Sequence, residues 1–212
     1  MPSLSCQTEA YSDLYARWME NPGRLLDLAG WKPGDRLLDL CGGSGAVSME
    51  ALRRGARHDE IVLLDLNPRC PAPIRQYEGR VDQLNALLPG VDLFDVIICR
   101  QAIGYLDLEM DLGLLLHQRL WHGGRFVFNS FVHPRWSLKT YKHGGRRFVE
   151  ASGYLGHRVG HVQWSRDFGA DVTSFRWHEE AELHRVLSPY FESIQVERTP
   201  KSLRWVCTKL PA

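Results

Sequence analysis

Four short apolar runs separated by helical stretches constrain this chain more than any other feature. Residues 36–40, 60–66, 94–99 and 125–131 are largely continuous in Leu, Ile, Val and Phe rather than alternating with polar residues. Continuous runs of this length are strands buried on both faces, and strands that alternate with helices form a parallel sheet with helices on each side. The intervening helices are predicted at 46–54, closed by Gly55, at 108–121, capped by Gly123-Gly124, and at 179–187. Asn21 as N-cap and Pro22 in the first turn start a helix that runs to about Leu28 and stops at Gly30. Tyr11, Leu14, Tyr15 and Trp18 recur at i, i+3, i+4 and i+7, one aromatic face of a helix over 8–19. A weaker strand is predicted near 79–81, and residues 191–197 and 202–209 form a hairpin around Thr199-Pro200-Lys201. Residues 133–178, rich in His, Trp, Tyr, Arg and Gly, predict irregular β structure and loop laid over the rest. The expected organisation is one α/β domain over 1–212, with a helical lid at 1–30 and a cap inserted at 132–178.

Composition narrows the class. The chain has 212 residues, 44% of them hydrophobic, which is enough to bury a core without disulfide staples. A formal net charge of +1 gives no long-range field toward nucleic acid or an anionic membrane, and neither is expected as a partner. Cys6, Cys41, Cys70, Cys99 and Cys207 are odd in number and never paired as C-x-x-C, so neither a disulfide framework nor a zinc site is expected. No apolar run approaches the roughly 18 residues of a membrane span. The expectation is a cytoplasmic protein with no metal.

The informative segment is Leu37-Leu38-Asp39-Leu40-Cys41-Gly42-Gly43-Ser44-Gly45. A glycine-rich turn between a buried strand and a helix lets the backbone approach a ligand, with helix N–H groups facing it. The dinucleotide pattern G-x-G-x-x-G fails here, because Ser48 stands where its third glycine belongs. Asp39 sits four residues before Gly43, where a pyrophosphate would be repelled and a cationic ligand attracted.

These residues resemble the first motif of the class I S-adenosylmethionine-dependent methyltransferases, close to D-x-G-x-G-x-G, with Cys41 at the first glycine place. Asp65, after the second apolar run, matches the family's acid for the ribose hydroxyls, with Leu66 beside it. Asp82 and Gln83, in Val81-Asp82-Gln83-Leu84-Asn85-Ala86-Leu87-Leu88-Pro89, resemble the segment that meets the adenine. Residues 94–99 resemble the fourth strand, whose end faces the reactive methyl. The resemblance covers about 36–131 and the terminal hairpin. It implies a Rossmann-like, seven-stranded, mostly parallel sheet with a terminal antiparallel hairpin and a cap after the fifth strand. It further implies S-adenosylmethionine as cofactor, held by Asp39, Cys41, Gly42, Gly43, Gly45, Asp65, Leu66, Asp82, Gln83 and Arg100.

Ligands of open α/β sheets sit beyond the carboxyl ends of the strands. The acceptor is therefore expected near Gln101, Tyr105 and the segment after Phe131. His133 is the first candidate for general base and His161 the second. Arg100 is equally a candidate to hold a substrate carboxylate. Tyr11, Tyr15, Trp136, Tyr141 and Trp164 are candidates to close over an apolar or aromatic acceptor. Cys99-Arg100-Gln101-Ala102 replaces any N-P-P-Y-like segment, so a DNA adenine is not the expected acceptor. A small molecule methylated at O or N fits best. The competing readings are a protein or RNA methyltransferase, a cofactor-binding catalyst that does not methylate, and an NAD-dependent oxidoreductase. Three prolines in Asn67-Pro68-Arg69-Cys70-Pro71-Ala72-Pro73-Ile74 predict a truncated or absent helix there. An exposed sheet face, covered by a second copy of the chain in a homodimer, is the expected consequence.

Overall fold

The computed structural model describes residues 20–88, 92–108, 111–131, 137–143, 146–155, 158–165, 169–176, 178–200 and 202–210. For residue 131 and the strands within 137–176 it describes the backbone. In chain order the helices are α1 (Pro22–Ala29), α2 (Ala46–Arg53), α3 (Leu84–Leu87), α4 (Leu112–Gln118) and α5 (Glu180–Leu187). The strands are β1 (Leu37–Leu40), β2 (Ile61–Asp65), β3 (Arg75–Glu78), β4 (Phe94–Cys99), β5 (Leu120–Phe131), β6 (Ser137–His143), β7 (Arg146–Leu155), β8 (Arg158–Ser165), β9 (Gly169–Arg176), β10 (Ser193–Arg198) and β11 (Ser202–Thr208).

Seven strands form one sheet in the order β10-β11-β5-β4-β1-β2-β3. Strands β5, β4, β1, β2 and β3 are mutually parallel, and the β10–β11 hairpin joins β5 antiparallel. The predicted sheet and its terminal hairpin are thus both present. On one face, Leu25, Leu26 and Ala29 of α1 and Val47 and Ala51 of α2 pack onto Leu37, Ile61, Leu63, Val96, Ile98 and Val127. On the other face, α4 and α5 cover Leu38, Val62, Ile97, Phe126, Phe128 and Trp205. There Phe128 stacks between Phe126, at 4.9 Å between centroids, and Trp205, at 5.3 Å. Such pairs are each worth about 0.5–1.5 kcal/mol beyond the area they bury.

Local chemistry fixes the α1 ends as the sequence predicts. The Asn21 side chain accepts from Gly23 N at 2.8 Å, Pro22 opens the helix, and Gly30 closes it in the left-handed conformation at φ 60°. This helix is a core element: Leu25 and Leu26 are fully buried. Of the 1–30 stretch expected as a lid, 22–29 therefore belongs to the core, and 1–19 lies outside the described residues.

Four other expectations are corrected. The third strand is Arg75–Glu78 and not 79–81. It is the sheet edge, and its Arg, Gln, Tyr and Glu side chains meet solvent, so no apolar run announces it. The helix expected over 108–121 is only Leu112–Gln118, begun by Asp111, whose side chain accepts from Leu114 N. Leu120 already pairs with Phe94, and Gly123-Gly124 lie inside an irregular β5, whose register slips before Arg125 pairs with Val96. The cap is a regular antiparallel sheet, β6-β7-β8-β9, rather than irregular β and loop. Its last strand runs beside the helical turn Ile103–Tyr105. Finally, 67–74 holds no helix, as its prolines predict, yet the sheet face there is closed. Cys70 and Ile74 are buried against it, and the Gln76 amide clasps the loop by accepting from Cys70 N (3.0 Å) and donating to Cys70 O (2.9 Å). Among the described residues, this part of the sheet face is covered by the loop itself. Among the described residues, no helix is long and apolar enough to cross a membrane.

Candidate active site

Five parallel strands end on one side of the sheet, and the residues singled out by the first motif converge there. Asp39 is fully buried at the end of β1. One carboxylate oxygen, Oδ2, accepts from Ser48 N (3.0 Å) and Ser48 Oγ (2.7 Å) at the start of α2. The other, Oδ1, is buried without a hydrogen-bond partner. Burial raises the Asp39 pKa above the ordinary carboxylate value, against the two Ser48 hydrogen bonds and the Arg100 charge.

The loop that follows needs its glycines. A Cβ at Gly42 would lie within 2.6–2.9 Å of the Asp39 carboxylate, and one at Gly45 (φ 75°) within 2.6 Å of Cys70 Sγ. Gly43 (φ 53°) has open space on its side-chain side, where a ligand can reach the backbone. Cys41, at the first glycine place, also adopts a left-handed conformation, φ 56°. The neighbouring Cys99 thiol at the end of β4, followed by burial, pushes the Cys41 pKa well up.

Asp65 ends β2 and reaches back to the loop. Its Oδ2 accepts from Gly43 N (3.0 Å) and its Oδ1 from Asn67 N (2.8 Å), leaving each oxygen capacity for a further hydrogen bond. Leu66 beside it is 55% exposed, an apolar surface at the rim. Asp82 and Gln83 lie in the short helical turn after β3. Asp82 pairs with Arg80, and the Gln83 side chain accepts from Arg80 N (3.1 Å). Both follow β3, whose last residue, Glu78, pairs with Asp65.

At the ends of the next two strands, Arg100 and Asn129 extend the row. Arg100 donates from Nη1 to the Glu20 carbonyl (3.1 Å), and desolvation lowers its pKa. Glu20 in turn takes a bidentate ion pair from Arg204 (3.0 Å each) and a hydrogen bond from Ser202. Burial works to raise the Glu20 pKa, but these donors outweigh it and hold the carboxyl below its ordinary value. Gln101 adopts φ 56° and its N–H donates to Asn129 Oδ1 (2.9 Å), while Asn129 Nδ2 is buried and unpartnered. Tyr105 stands half-exposed in the turn beyond.

The structure therefore brings together Asp39, Cys41, Gly42, Gly43, Gly45, Asp65 and Leu66, with Arg100 and Gln101 on the neighbouring strand end. Tyr11, Tyr15, His133 and Trp136 lie outside the described residues. Tyr141 falls on β6 and His161 and Trp164 on β8, where the backbone alone is described. Sequence reasoning missed four contributors. Ser48 was read only as a missing glycine, although a hydroxyl one helical turn past the loop is a natural partner for Asp39. Asn129 had a signal, a lone amide in the run Phe126-Val127-Phe128-Asn129. Glu20 and Arg204 had none, since their pairing joins opposite ends of the chain.

This sheet order, with a glycine loop after the first strand and an antiparallel last pair, is the fold of the class I S-adenosylmethionine-dependent methyltransferases. Among solved structures it is similar to an S-adenosylmethionine-dependent methyltransferase of Clostridium acetobutylicum, at 15% identity and TM-score 0.70, covering 96% of this chain and 98% of that one. It is also similar to the PH0226 protein of Pyrococcus horikoshii, at 14% identity and TM-score 0.63, over 96% and 93% of the two chains. A third is the glycopeptide N-methyltransferase MtfA in complex with S-adenosylmethionine, at 14% identity and TM-score 0.56, over 92% and 96%. At these identities the likeness is one of fold. No protein-family model and no curated protein matches the chain.

Proposed function

We propose that the protein is an S-adenosylmethionine-dependent methyltransferase that methylates an O or N atom of a small molecule. The observation that carries this reading is the Asp39 carboxylate, buried behind the glycine loop with Oδ1 unpartnered. A buried polar atom left unsatisfied costs about 1–3 kcal/mol. A cationic ligand at the loop offsets that cost, and a dinucleotide pyrophosphate adds to it. Asp65 has the lone pairs to accept from two ribose hydroxyls, and Leu66 offers an apolar surface to a base. Asp82 and Gln83, in the turn after β3, are the candidates to meet the base edge. The residues present therefore fit the cofactor.

When bound, S-adenosylmethionine supplies a methyl group made electrophilic by its sulfonium. The work of the chain is to hold the acceptor in line, which can lower the barrier by about 7–11 kcal/mol. Gln101, fixed in an unusual conformation by Asn129, and Tyr105 lie at the strand end where the acceptor atom belongs. His133 and His161 are the candidates to take a proton from the acceptor. Arg100 stays as a binding residue whose charge faces both Asp39 and Glu20.

Calorimetric titration tests the reading directly. S-adenosylhomocysteine is expected to bind and NAD is not; binding of NAD alone refutes the proposal. A screen of small-molecule acceptors with methyl-labelled cofactor then reads the product, heavier by one CH₂. Label found only on protein or RNA overturns the small-molecule assignment.

A further inference from the structure

We propose that Cys41 and Cys99 form an oxidant-sensitive dithiol at the root of the glycine loop, where a hydroperoxide closes a disulfide between them. Cys41 is the first residue beyond β1 and Cys99 the last of β4, and these strands are adjacent and parallel. The register pairs Asp39 with Ile98. Continued one step, it sets Cys99 beside Leu40, with Cys41 a single residue farther on. Strands about 4.8 Å apart and an offset of about 3.3 Å give a Cα separation of about 5.8 Å, inside the window of about 4.4–6.8 Å that a disulfide spans. Both side chains lie against the same apolar cluster.

The other cysteines among the described residues are placed elsewhere. Cys70 is buried in the cluster on the opposite face of the sheet, and Cys207 lies on β11, two strands from β4. All four of these cysteines are free thiols. Cys41 also occupies a left-handed backbone conformation that glycine adopts without strain, so the turn itself gives no reason for a thiol there.

Cys41, the more exposed of the two, reacts first: its thiolate, which the raised pKa makes scarce at neutral pH and more abundant as pH rises, attacks the peroxide O–O bond, giving a sulfenic acid and one water (one alcohol from an organic hydroperoxide). The Cys99 sulfur then attacks the Cys41 sulfur, the S–S bond forms, and hydroxide leaves with the Cys99 proton as a second water. Each sulfur gives up one electron and the peroxide takes both. The bridge pins the first residue of the loop to β4. Its effect on ligand affinity rests on the nucleoside reading above; its formation does not.

Full-length protein is treated with hydrogen peroxide, its remaining thiols alkylated, and its peptides mapped by mass spectrometry without reductant. The expected product links the Cys41 and Cys99 peptides, is lighter by about 2 Da than the two thiol peptides together, and reverts with dithiothreitol. Cys99→Ala is expected to yield only higher oxides of Cys41. If that variant does not fold, Cys41→Gly, which suits the existing backbone, should leave Cys99 reduced and unlinked. A link from Cys41 to Cys70, both thiols alkylated after peroxide, or the same products from wild type and variant overturns the proposal. Titration of S-adenosylhomocysteine before and after oxidation should show about tenfold weaker binding, restored by reductant. Equal affinity with the bridge formed overturns the control of binding. No affinity in the reduced protein refutes the nucleoside reading and leaves the dithiol standing.

Discussion

Ser48→Ala isolates the electrostatic design of the loop. The substitution deletes the 2.7 Å hydrogen bond from Ser48 Oγ to Asp39 and leaves the 3.0 Å bond from Ser48 N in place. Both residues are fully buried, so water does not replace the lost donor. A hydrogen bond to a charged group contributes about 1.5–3 kcal/mol, which sets the expected loss near 2 kcal/mol. For a chain of this length that is about 4–8 °C in melting temperature. The loss depends on pH, with a sign fixed by Asp39. Its pKa in the folded protein lies above the ordinary 3.8, so the ionised form is the one the fold disfavours. Removing a donor raises that pKa further. The extra destabilisation is therefore complete above the folded pKa and shrinks as pH falls through it, when the carboxyl is protonated. Urea unfolding of wild type and variant over a pH series from about 7.5 down to the acid limit of the folded state measures both quantities. A loss below about 0.5 kcal/mol at the upper end, or one that grows as pH falls, refutes the account of Asp39 as an ionised, under-satisfied carboxylate.

Asp65→Ala removes the acceptor for the ribose hydroxyls and is expected to weaken S-adenosylhomocysteine binding about 10–100-fold by calorimetry; unchanged affinity removes Asp65 from the site. Asn129→Leu keeps the volume but strands the Gln101 N–H, and should cost about 1–3 kcal/mol in urea unfolding. Arg204→Met leaves the Glu20 carboxylate without its bidentate partner and should cost about 2 kcal/mol, between the values for exposed and buried pairs. Because the Glu20 pKa is held below its ordinary 4.5, that pair contributes fully above this value and loses its contribution as pH falls. The gap between Arg204→Met and wild type should therefore close in acid; a gap that persists refutes the assignment.

The chain's own pattern determined the central strands, the caps of α1 and the loop at Asp39, because those depend on residues near one another in sequence. Continuous apolar runs predict the buried strands β1, β2, β4 and much of β5, and Asn21, Pro22 and Gly30 bound a helix by their own backbone preferences. Asp39 and Asp65 were legible for the same reason, each ending an apolar run beside a turn. The tertiary structure decided what depends on distant neighbours. Edge strand β3 is polar and takes its conformation from hydrogen bonds to β2, and α4 ends early because Leu120 finds Phe94. The sheet face near the prolines is closed by Cys70, Ile74 and the Gln76 clasp, against the expectation drawn from composition. Glu20 meets Ser202 and Arg204 across 182 and 184 residues of chain, and Cys41 meets Cys99 only because β1 and β4 are neighbours. Local spacing encodes which segment becomes strand or helix; strand order alone sets which side chains share its carboxyl rim.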